Sequence, residues 1–271
     1  MRFALLDNQR IEAIPKAKAL CQGCLQPVVA KCGAQRIHHW AHQSKKNCDS
    51  WWEPETAWHR SWKDKFPLEW QECVMRDKKT GELHIADIYT SSSITLEFQH
   101  SHIDPQEQLS REKFHQNLTW VVDGTRLKRE YKRFIKEKDN YSTKLKEGVF
   151  QIDWLEFCLP PAWINSKVPV VFDFLGTDTA NQDRERNTLY CLFPGRIGSY
   201  AIIAEISRTA FIRTLTSGEW IIRVKNFVTW MAEIRKERQI QAAKEQEIQN
   251  SINSQIFYRN MINRWRRRRR F

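Results

Sequence analysis

Alternation of apolar and polar positions marks two neighbouring strands in the first half of the chain. In His84-Ile-Ala-Asp87-Ile-Tyr89 and in Ile94-Thr-Leu-Glu97-Phe-Gln99-His-Ser101, side chains fall in turn on opposite faces, so Glu97 and Gln99 share one face and Leu96 and Phe98 the other. Leu68 to Met75 reads as a third strand upstream. The connections carry turn signals, Asp77-Lys-Lys-Thr-Gly81 and Thr90-Ser-Ser-Ser93, and are short enough to make an antiparallel meander. Before the meander, Asp49 to Phe66 reads as a helix, with Pro54 in its first turn and Trp58, Trp62 and Phe66 at helical spacing. After it, Pro105 to Gln116 reads as a helix capped by Asp104. Leu118 to Val122 is an apolar run expected as a buried strand, closing at Asp123-Gly124. The order is helix, three strands, helix, strand, and a helical crossover would set the last strand parallel to a neighbour.

Outside this stretch the pattern is plainer. Residues 1–15 read as strand, turn, strand. Residues 125–147 are polar and Lys-rich, a linker or an exposed helix. Residues 150–222 hold strand-like runs, among them Val168 to Phe174 and Tyr200 to Ile206, with Trp154, Phe157, Trp163 and Phe172 expected in the core. From Val224 to Arg270 the chain reads as one long helix without Gly or Pro, too polar to be buried all round. Ile248, Ile252 and Ile256 form a narrow stripe on it that suits docking or self-association. No internal repeat stands out.

Charge sharpens the functional question. The 271 residues carry a net charge of +12, and 41% of them are apolar, with twelve Trp and fourteen Phe, enough for a sizeable core. From Met231 to Phe271 there are eleven Lys or Arg against four Asp or Glu, a net +7 concentrated in the tail. That balance points to a polyanionic partner, DNA in the first instance. The block Arg266-Arg267-Arg268-Arg269-Arg270 suits phosphate contacts that read no sequence. No run approaches the roughly 18 apolar residues of a membrane span, and the N-terminus breaks too early for a secretory signal, so no membrane partner and a cytoplasmic location are expected.

Four of the seven cysteines cluster early: Cys21, Cys24, Cys32 and Cys48. An odd count in this arrangement fits a metal site in a reducing compartment better than a disulfide framework. Cys21-x-x-Cys24 followed by His39-Trp-Ala-His42 offers two thiolates and two imidazoles for one tetrahedral zinc, with Cys32 and Cys48 able to replace either His. A site filled by four protein ligands is structural rather than catalytic. The alternative is a set of free cysteines and surface histidines.

The remaining chemistry lies in carboxylates. Glu55, His59 and Trp62 recur at helical neighbour spacing, so one stripe can carry an acid, an imidazole and an indole toward the end of the meander where Asp87 and Glu97 project. Carboxylate oxygens are hard donors suited to Mg²⁺ or Mn²⁺. An ion held there polarises a phosphodiester and lowers the pKa of an attacking water. The plain alternative is two polar residues on the wet face of a half-exposed sheet.

Taken together, Cys21-x-x-Cys24, His39-Trp-Ala-His42, Glu55-x-x-Trp58-His59-x-x-Trp62-Lys63, Ala86-Asp87-Ile88, Glu97-Phe-Gln99-x-Ser101-x-Ile103, Arg111 and Trp120-Val-Val resemble the CoiA-like competence proteins. The resemblance covers residues 1–125 well and 150–200 faintly. It implies an α/β fold with a mixed sheet, a zinc-finger-like module over 1–50 and a restriction-endonuclease-like PD-(D/E)XK core over 51–147; the residue pattern itself adds a strand-rich extension over 148–225 and a basic helical tail over 226–271. It also implies a metal-dependent deoxyribonuclease in DNA uptake and recombination or in defence against foreign DNA. Asp87 and Glu97 would be the metal ligands, with Glu55 completing the shell. Gln99 stands where the wider class most often has Lys; it can orient a water but brings no charge. His59, Lys63 or Arg111 is then expected to supply the missing donor or charge, His59 or Lys63 at the scissile phosphate. Arg111 and the tail arginines are the candidate DNA contacts. The neutral Gln99 keeps a second reading open, a catalytically inactive nucleic-acid-binding or adaptor protein.

Overall fold

The structure is a computed structural model and describes residues 1–43, 48–49, 51, 55–77, 80–178 and 183–268. The chain divides into two compact units, Met1–Asn226 and Phe227–Phe271.

The first unit opens with a five-stranded antiparallel sheet. Its strands are β1 (Phe3–Leu6), β2 (Gln9–Glu12), β3 (Lys18–Leu20), β4 (Pro27–Lys31) and β5 (His39–His42), in the order β2-β1-β3-β4-β5. Leu6 pairs with Gln9 across a two-residue turn, Asp7-Asn8, whose φ angles are 50° and 62°. Asp and Asn tolerate that left-handed geometry, which matches the twist of a hairpin. Ala4, Cys21, Val28 and Trp40 form a small core under this sheet.

A nine-stranded sheet follows. In chain order come α1 (Ala57–Lys63), β6 (Gln71–Arg76), β7 (Leu83–Tyr89), β8 (Thr95–Gln99), α2 (Pro105–Phe114), β9 (Leu118–Asp123) and α3 (Glu130–Tyr141). Then come β10 (Ser142–Lys146), β11 (Val149–Ile152), α4 (Leu155–Cys158), β12 (Val170–Asp173), α5 (Arg184–Asn187), β13 (Thr188–Leu192), β14 (Ala201–Ser207), α6 (Arg208–Thr216) and α7 (Glu219–Arg268). The sheet order is β10-β11-β14-β13-β12-β9-β8-β7-β6. The β6-β7-β8 meander is antiparallel, and the crossover through α2 sets β9 parallel to β8 as expected. β12 then pairs in parallel with β9, so the strand-rich second half continues the same sheet edge to edge. Strand β7 alternates between buried and half-buried positions, whereas β8 and β9, in the middle, are buried throughout. Covered central strands lose the alternating pattern for this reason.

Four expectations are corrected. Of the helix read over Asp49 to Phe66, Ala57–Lys63 is helical and Glu55 and Thr56 are not, while residues 50 and 52–54, Pro54 among them, lie outside the described residues. Thr56 is extended and closes a capping box with His59, its hydroxyl accepting from the His59 N–H while the His59 ring accepts from the Thr56 N–H. Leu68–Trp70 is a single 3₁₀ turn rather than the start of β6. The 125–147 segment is more than a linker: α3 buries Phe134 fully, and Lys138 is buried beside Glu205. Of the aromatics placed in the core, Trp163 and Phe172 are buried, but Trp154 and Phe157 are about half exposed, with Trp154 at φ 52°.

The deepest polar contact joins α1 to the sheet. The Asp173 side chain is fully buried at the end of β12. It accepts from the indole N–H groups of Trp58 (3.0 Å) and Trp62 (2.8 Å) and from the Leu175 amide (2.9 Å), and it pairs with Arg208. One carboxylate thus fixes α1, α6 and the turn after β12. The second unit is the helical chain from Phe227 onward. Arg266, Arg267 and Arg268 close α7, whereas Arg269 and Arg270 lie outside the described residues. No helix among the described residues is long and apolar enough to cross a membrane.

Asp173→Asn keeps the shape but replaces an acceptor by an amide donor facing two indole donors, and it strips Arg208 of its partner. Loss of one member of a buried pair costs about 3–5 kcal/mol. A urea titration is expected to show a loss of about that size, and a shift below about 1 kcal/mol would mean that Asp173 does not hold α1 in place.

Candidate functional site in an acidic cleft beside a Cys3His cluster

Helix α1 and the β6–β8 meander wall a cleft of about 760 Å³ including its open mouth. Glu55, His59, Lys63, Glu72, Asp87, Glu97 and Arg111 line it. Five of these are expected from the sequence to act together, Glu55, His59, Lys63, Asp87 and Glu97, and the fold brings them together.

Lys63 sits at the centre. Its ammonium lies 2.9 Å from Asp87, 3.0 Å from Glu72 and 3.7 Å from Glu55. Burial alone would lower the Lys63 pKa, but Asp87, Glu72 and Glu55 outweigh it and hold the pKa above the ordinary lysine value. Asp87 uses its second oxygen to accept from the Phe98 amide at 2.9 Å, which pins the carboxylate to the edge of β8. Glu55 precedes the helix rather than riding on it, and Arg60 grips both its oxygens (2.9 and 3.0 Å).

Glu97 is buried and receives the Arg111 guanidinium at 3.1 Å. Burial first, then the charge of Asp87, push its carboxyl up to about 8, against the pull of Arg111. Arg111 is itself buried, and it also pairs with Glu107 and donates to the Trp51 carbonyl at 2.5 Å. It is therefore an internal counter-charge to Glu97 at the wall of the cleft. Beside Glu97 lies the fully buried ring of His115, 3.6 Å away, whose pKa burial first, and then His84 and Arg111, lower to about 4.

Two expected residues have other employment. Both His59 ring nitrogens are engaged: Nε2 donates to the Phe98 carbonyl at 3.0 Å, and Nδ1 accepts from the Thr56 amide at 3.3 Å. Gln99 is not among the residues lining the cleft. It is buried, and its amide turns to the Ser101 carbonyl at 3.3 Å.

Glu72 escapes the sequence pattern. The register pairs Gln71 with Ile88 and Cys73 with Ala86, which sets Glu72 opposite Asp87. Its φ of 46° is the left-handed conformation that non-glycine residues adopt at cost. The carboxylate accepts from the Arg2 amide (2.6 Å), the Phe3 amide (3.0 Å) and Lys63. Burial would raise its pKa, but Lys63 and those amides prevail and hold it at about 2. Only the hairpin register reveals this residue, and turn length is the one sequence signal that bears on it.

The N-terminal sheet ends at the same cleft. Ligand atoms of Cys21, Cys24, His42 and Cys48 all lie within 4.8 Å of one another. Cys21 and Cys48 sulfurs are 3.7 Å apart, and Cys24 is 3.3 Å from His42 Nε2. A tetrahedral zinc with Zn–S bonds of about 2.3 Å places its sulfurs about 3.8 Å apart, so the donor set and spacing fit. The Cys48 thiol's hydrogen bond lowers Cys21 to about 5 and raises Cys48 in turn. His39 is not a member. It shares β5 with His42, and residues three apart on a strand face opposite ways; its Nδ1 lies 2.8 Å from the Ile37 carbonyl instead. Cys48 takes its place, and Cys32 donates to the Ala13 carbonyl at 3.6 Å. A closed Cys3His set of this kind could bind a structural zinc.

Residues 4–50 match the family model described as Competence protein CoiA, N-terminal domain. The N-terminal region is thus similar to a CoiA-type N-terminal domain. The match bears out the likeness read from the finger motifs and stops short of α1 and the meander. No curated protein and no solved structure matches the chain. The CoiA-type region and the cleft are physically joined, since His42 and Cys48 line the cleft and Glu72 holds the Arg2 and Phe3 amides at the start of β1.

Metal analysis of dialysed protein is expected to find one zinc per chain, lost in Cys48→Ser and kept in His39→Ala; the reverse pattern would restore the two-His ligand set. A second expectation concerns Glu97. Its carboxyl titrates at 4.5 in the ordinary case and about 8 when folded, so the folded chain binds the extra proton between those values. The stability it contributes is present below pH 4.5 and lost as pH rises through about 8. Glu97→Gln is expected to flatten that decline, so its melting temperature gains on the parent from pH 5 to pH 8.5. A constant difference across that range would refute the shift.

Proposed function

We propose that the acidic cleft is the catalytic centre of a metal-dependent DNA nuclease of the CoiA-like type, serving DNA uptake and recombination or defence against foreign DNA. The observation that carries this reading is the convergence of Asp87, Glu97, Glu55 and Lys63 on one cleft. The frame around it supports the reading: α1, three antiparallel strands, α2 and a strand parallel to the third are the order expected of a PD-(D/E)XK core.

Asp87 and Glu97 are the residues that would hold Mg²⁺ or Mn²⁺, with Glu55 assisting. Among the described residues the carboxylates do not form a tight cage, since the group within 4.8 Å is the Cys3His set. Mg²⁺ keeps several waters and takes one or two carboxylates. When bound, such an ion supplies Lewis-acid polarisation of the phosphodiester and a more acidic water. The protein residues do the rest. Lys63 is the cation that Gln99 cannot be, and its ammonium is already in contact with Asp87, where a phosphate oxygen would arrive. Arg111 balances Glu97, and His59 braces the backbone of β8 through the Phe98 carbonyl. The net charge of +12 and the arginine-rich tail favour DNA as the polyanion.

One observation favours the second reading, a binding or adaptor protein. Lys63 neutralises Asp87 and Glu72 without any metal, as in a site that has given up chemistry. Incubation with single-stranded and duplex DNA in Mg²⁺, Mn²⁺ or EDTA decides between them. The expected outcome is cleavage abolished by EDTA and lowered about 100-fold or more in Asp87→Ala and Glu97→Ala, with DNA binding retained. DNA binding without cleavage, unchanged in both variants, would leave the binding reading.

A further inference from the structure

The last turns of α7 carry a pattern that the cleft does not use. Over residues 257–265, apolar side chains recur four apart in two adjoining rows, Phe257-Met261-Trp265 and Tyr258-Ile262. At 3.6 residues per turn these five share one arc of about 140°. Arg259, Asn260, Asn263 and Arg264 fill the opposite side. The five apolar side chains are between 46% and 66% exposed. Single exposed isoleucines are ordinary, but a contiguous apolar face on a polar helix marks a contact surface.

Charge decides what covers that face. Beyond Glu247 the sequence holds no acidic residue and seven arginines: Arg259, Arg264 and the block Arg266 to Arg270. A second copy of this stretch would bring apolar surface, but with it only more arginine and no acidic side chain to answer it, so pairing sets like charges together. A nucleic acid would answer the arginines and leave the apolar face in water, because Arg259 and Arg264 lie on the other side of the helix. Midway along the apolar face stand Met261 and Ile262, which offer a base no ring to stack on. An anionic lipid surface answers both sides at once. Its acyl boundary takes the apolar face, its headgroups take the guanidinium groups, and the amphipathic rings of Tyr258 and Trp265 suit the layer between.

We propose that residues 257–265 form an interfacial helix that lies on an anionic lipid surface, with Met261 and Trp265 among the side chains that enter it. Nine helical residues rise about 13 Å, less than half of the roughly 30 Å hydrocarbon core, so the segment rests on the bilayer and does not cross it. The sequence expectation of no membrane partner rested on the lack of a spanning run, and no described helix could span; a helix in the headgroup plane needs no such run. Apolar contact and arginine charge act together, since either signal alone gives only marginal, reversible attachment. The inference is independent of the nuclease reading, because no cleft residue takes part.

The test is flotation of the full chain with lipid vesicles. Vesicles of phosphatidylcholine containing about 30% phosphatidylglycerol should bind it at least about tenfold more tightly than phosphatidylcholine alone, and high salt should remove the difference. Met261→Gln and Trp265→Gln keep the charge and a good helix former at exposed positions. Each should weaken binding to the anionic vesicles about tenfold, the scale of one lost apolar contact. Circular dichroism establishes that each variant keeps its helix. Failure of the parent to float with anionic vesicles, or equal binding by the parent and both variants, would overturn the proposal. Titration with single-stranded and duplex DNA and sedimentation equilibrium on the same proteins expose the rivals. Variants that keep full vesicle binding but lose DNA binding or self-association would give the face to nucleic acid or to a second copy.

Discussion

A bare carboxylate buried at the end of β12 would be prohibitively costly, and Asp173 is tolerable only because five donors surround it. Two of those donors are indoles one helical turn apart on α1, so the ion can be satisfied only when α1 lies across the sheet in one orientation. That orientation points Lys63, one residue beyond Trp62, at Asp87. It also places the His59 ring on the Phe98 carbonyl. A helix of seven residues has little stability of its own. Its position therefore comes from tertiary contacts, the Asp173 network and the Thr56 cap above all.

A second buried carboxylate extends the same logic to the CoiA-type region. Glu72 takes the Arg2 and Phe3 amides on one side and Lys63 on the other. Strand β1 is thereby tied to the ammonium that neutralises Asp87. The Cys3His cluster touches the cleft from the same side through His42 and Cys48. A zinc that fixes those residues would also fix one wall of the cleft, although it takes no part in the chemistry. Glu72 holds a left-handed backbone to make these contacts, and strain of that kind survives only where its surroundings over-determine it.

Part of this is legible in the sequence because β7 is half-buried. β7 writes its pleat into the chain as alternation, and that pattern alone assigns Asp87 to a face. The crossover through α2 and the parallel β9 follow from chain connectivity. What escapes is set by contacts between distant segments or by a competing local rule. The capping box of Thr56 and His59 ends a helical pattern that spacing alone extends to Asp49. His39 and His42 look like a ligand pair on a turn, yet on a strand their odd separation sends one of them away, and Cys48 fills the vacancy from a later loop. Glu72 needs the β6–β7 register, and Asp173 needs to find two tryptophans more than a hundred residues upstream. Hydrophobic residue type alone misplaces Trp154 and Phe157, which sit on the surface.

If the cleft is the nuclease site proposed above, its charges account for a lysine on α1 serving where the wider class has one on β8. Arg60 takes up Glu55, the Arg2 and Phe3 amides with Lys63 take up Glu72, and Arg111 faces a Glu97 whose proton is held to about pH 8. Asp87 remains, and of the four cleft carboxylates it is the most exposed, at 20% of its side chain. A cation arriving from solvent meets Asp87 first, and its charge would in turn favour ionisation of Glu97, because opposite charge stabilises a carboxylate as surely as burial opposes it. Lys63 would then hold one carboxylate fewer and face an incoming phosphate with more of its charge uncompensated. A glutamine at position 99, turned away toward Ser101, costs the cleft nothing in that arrangement, since the cation it lacks already enters from the helix.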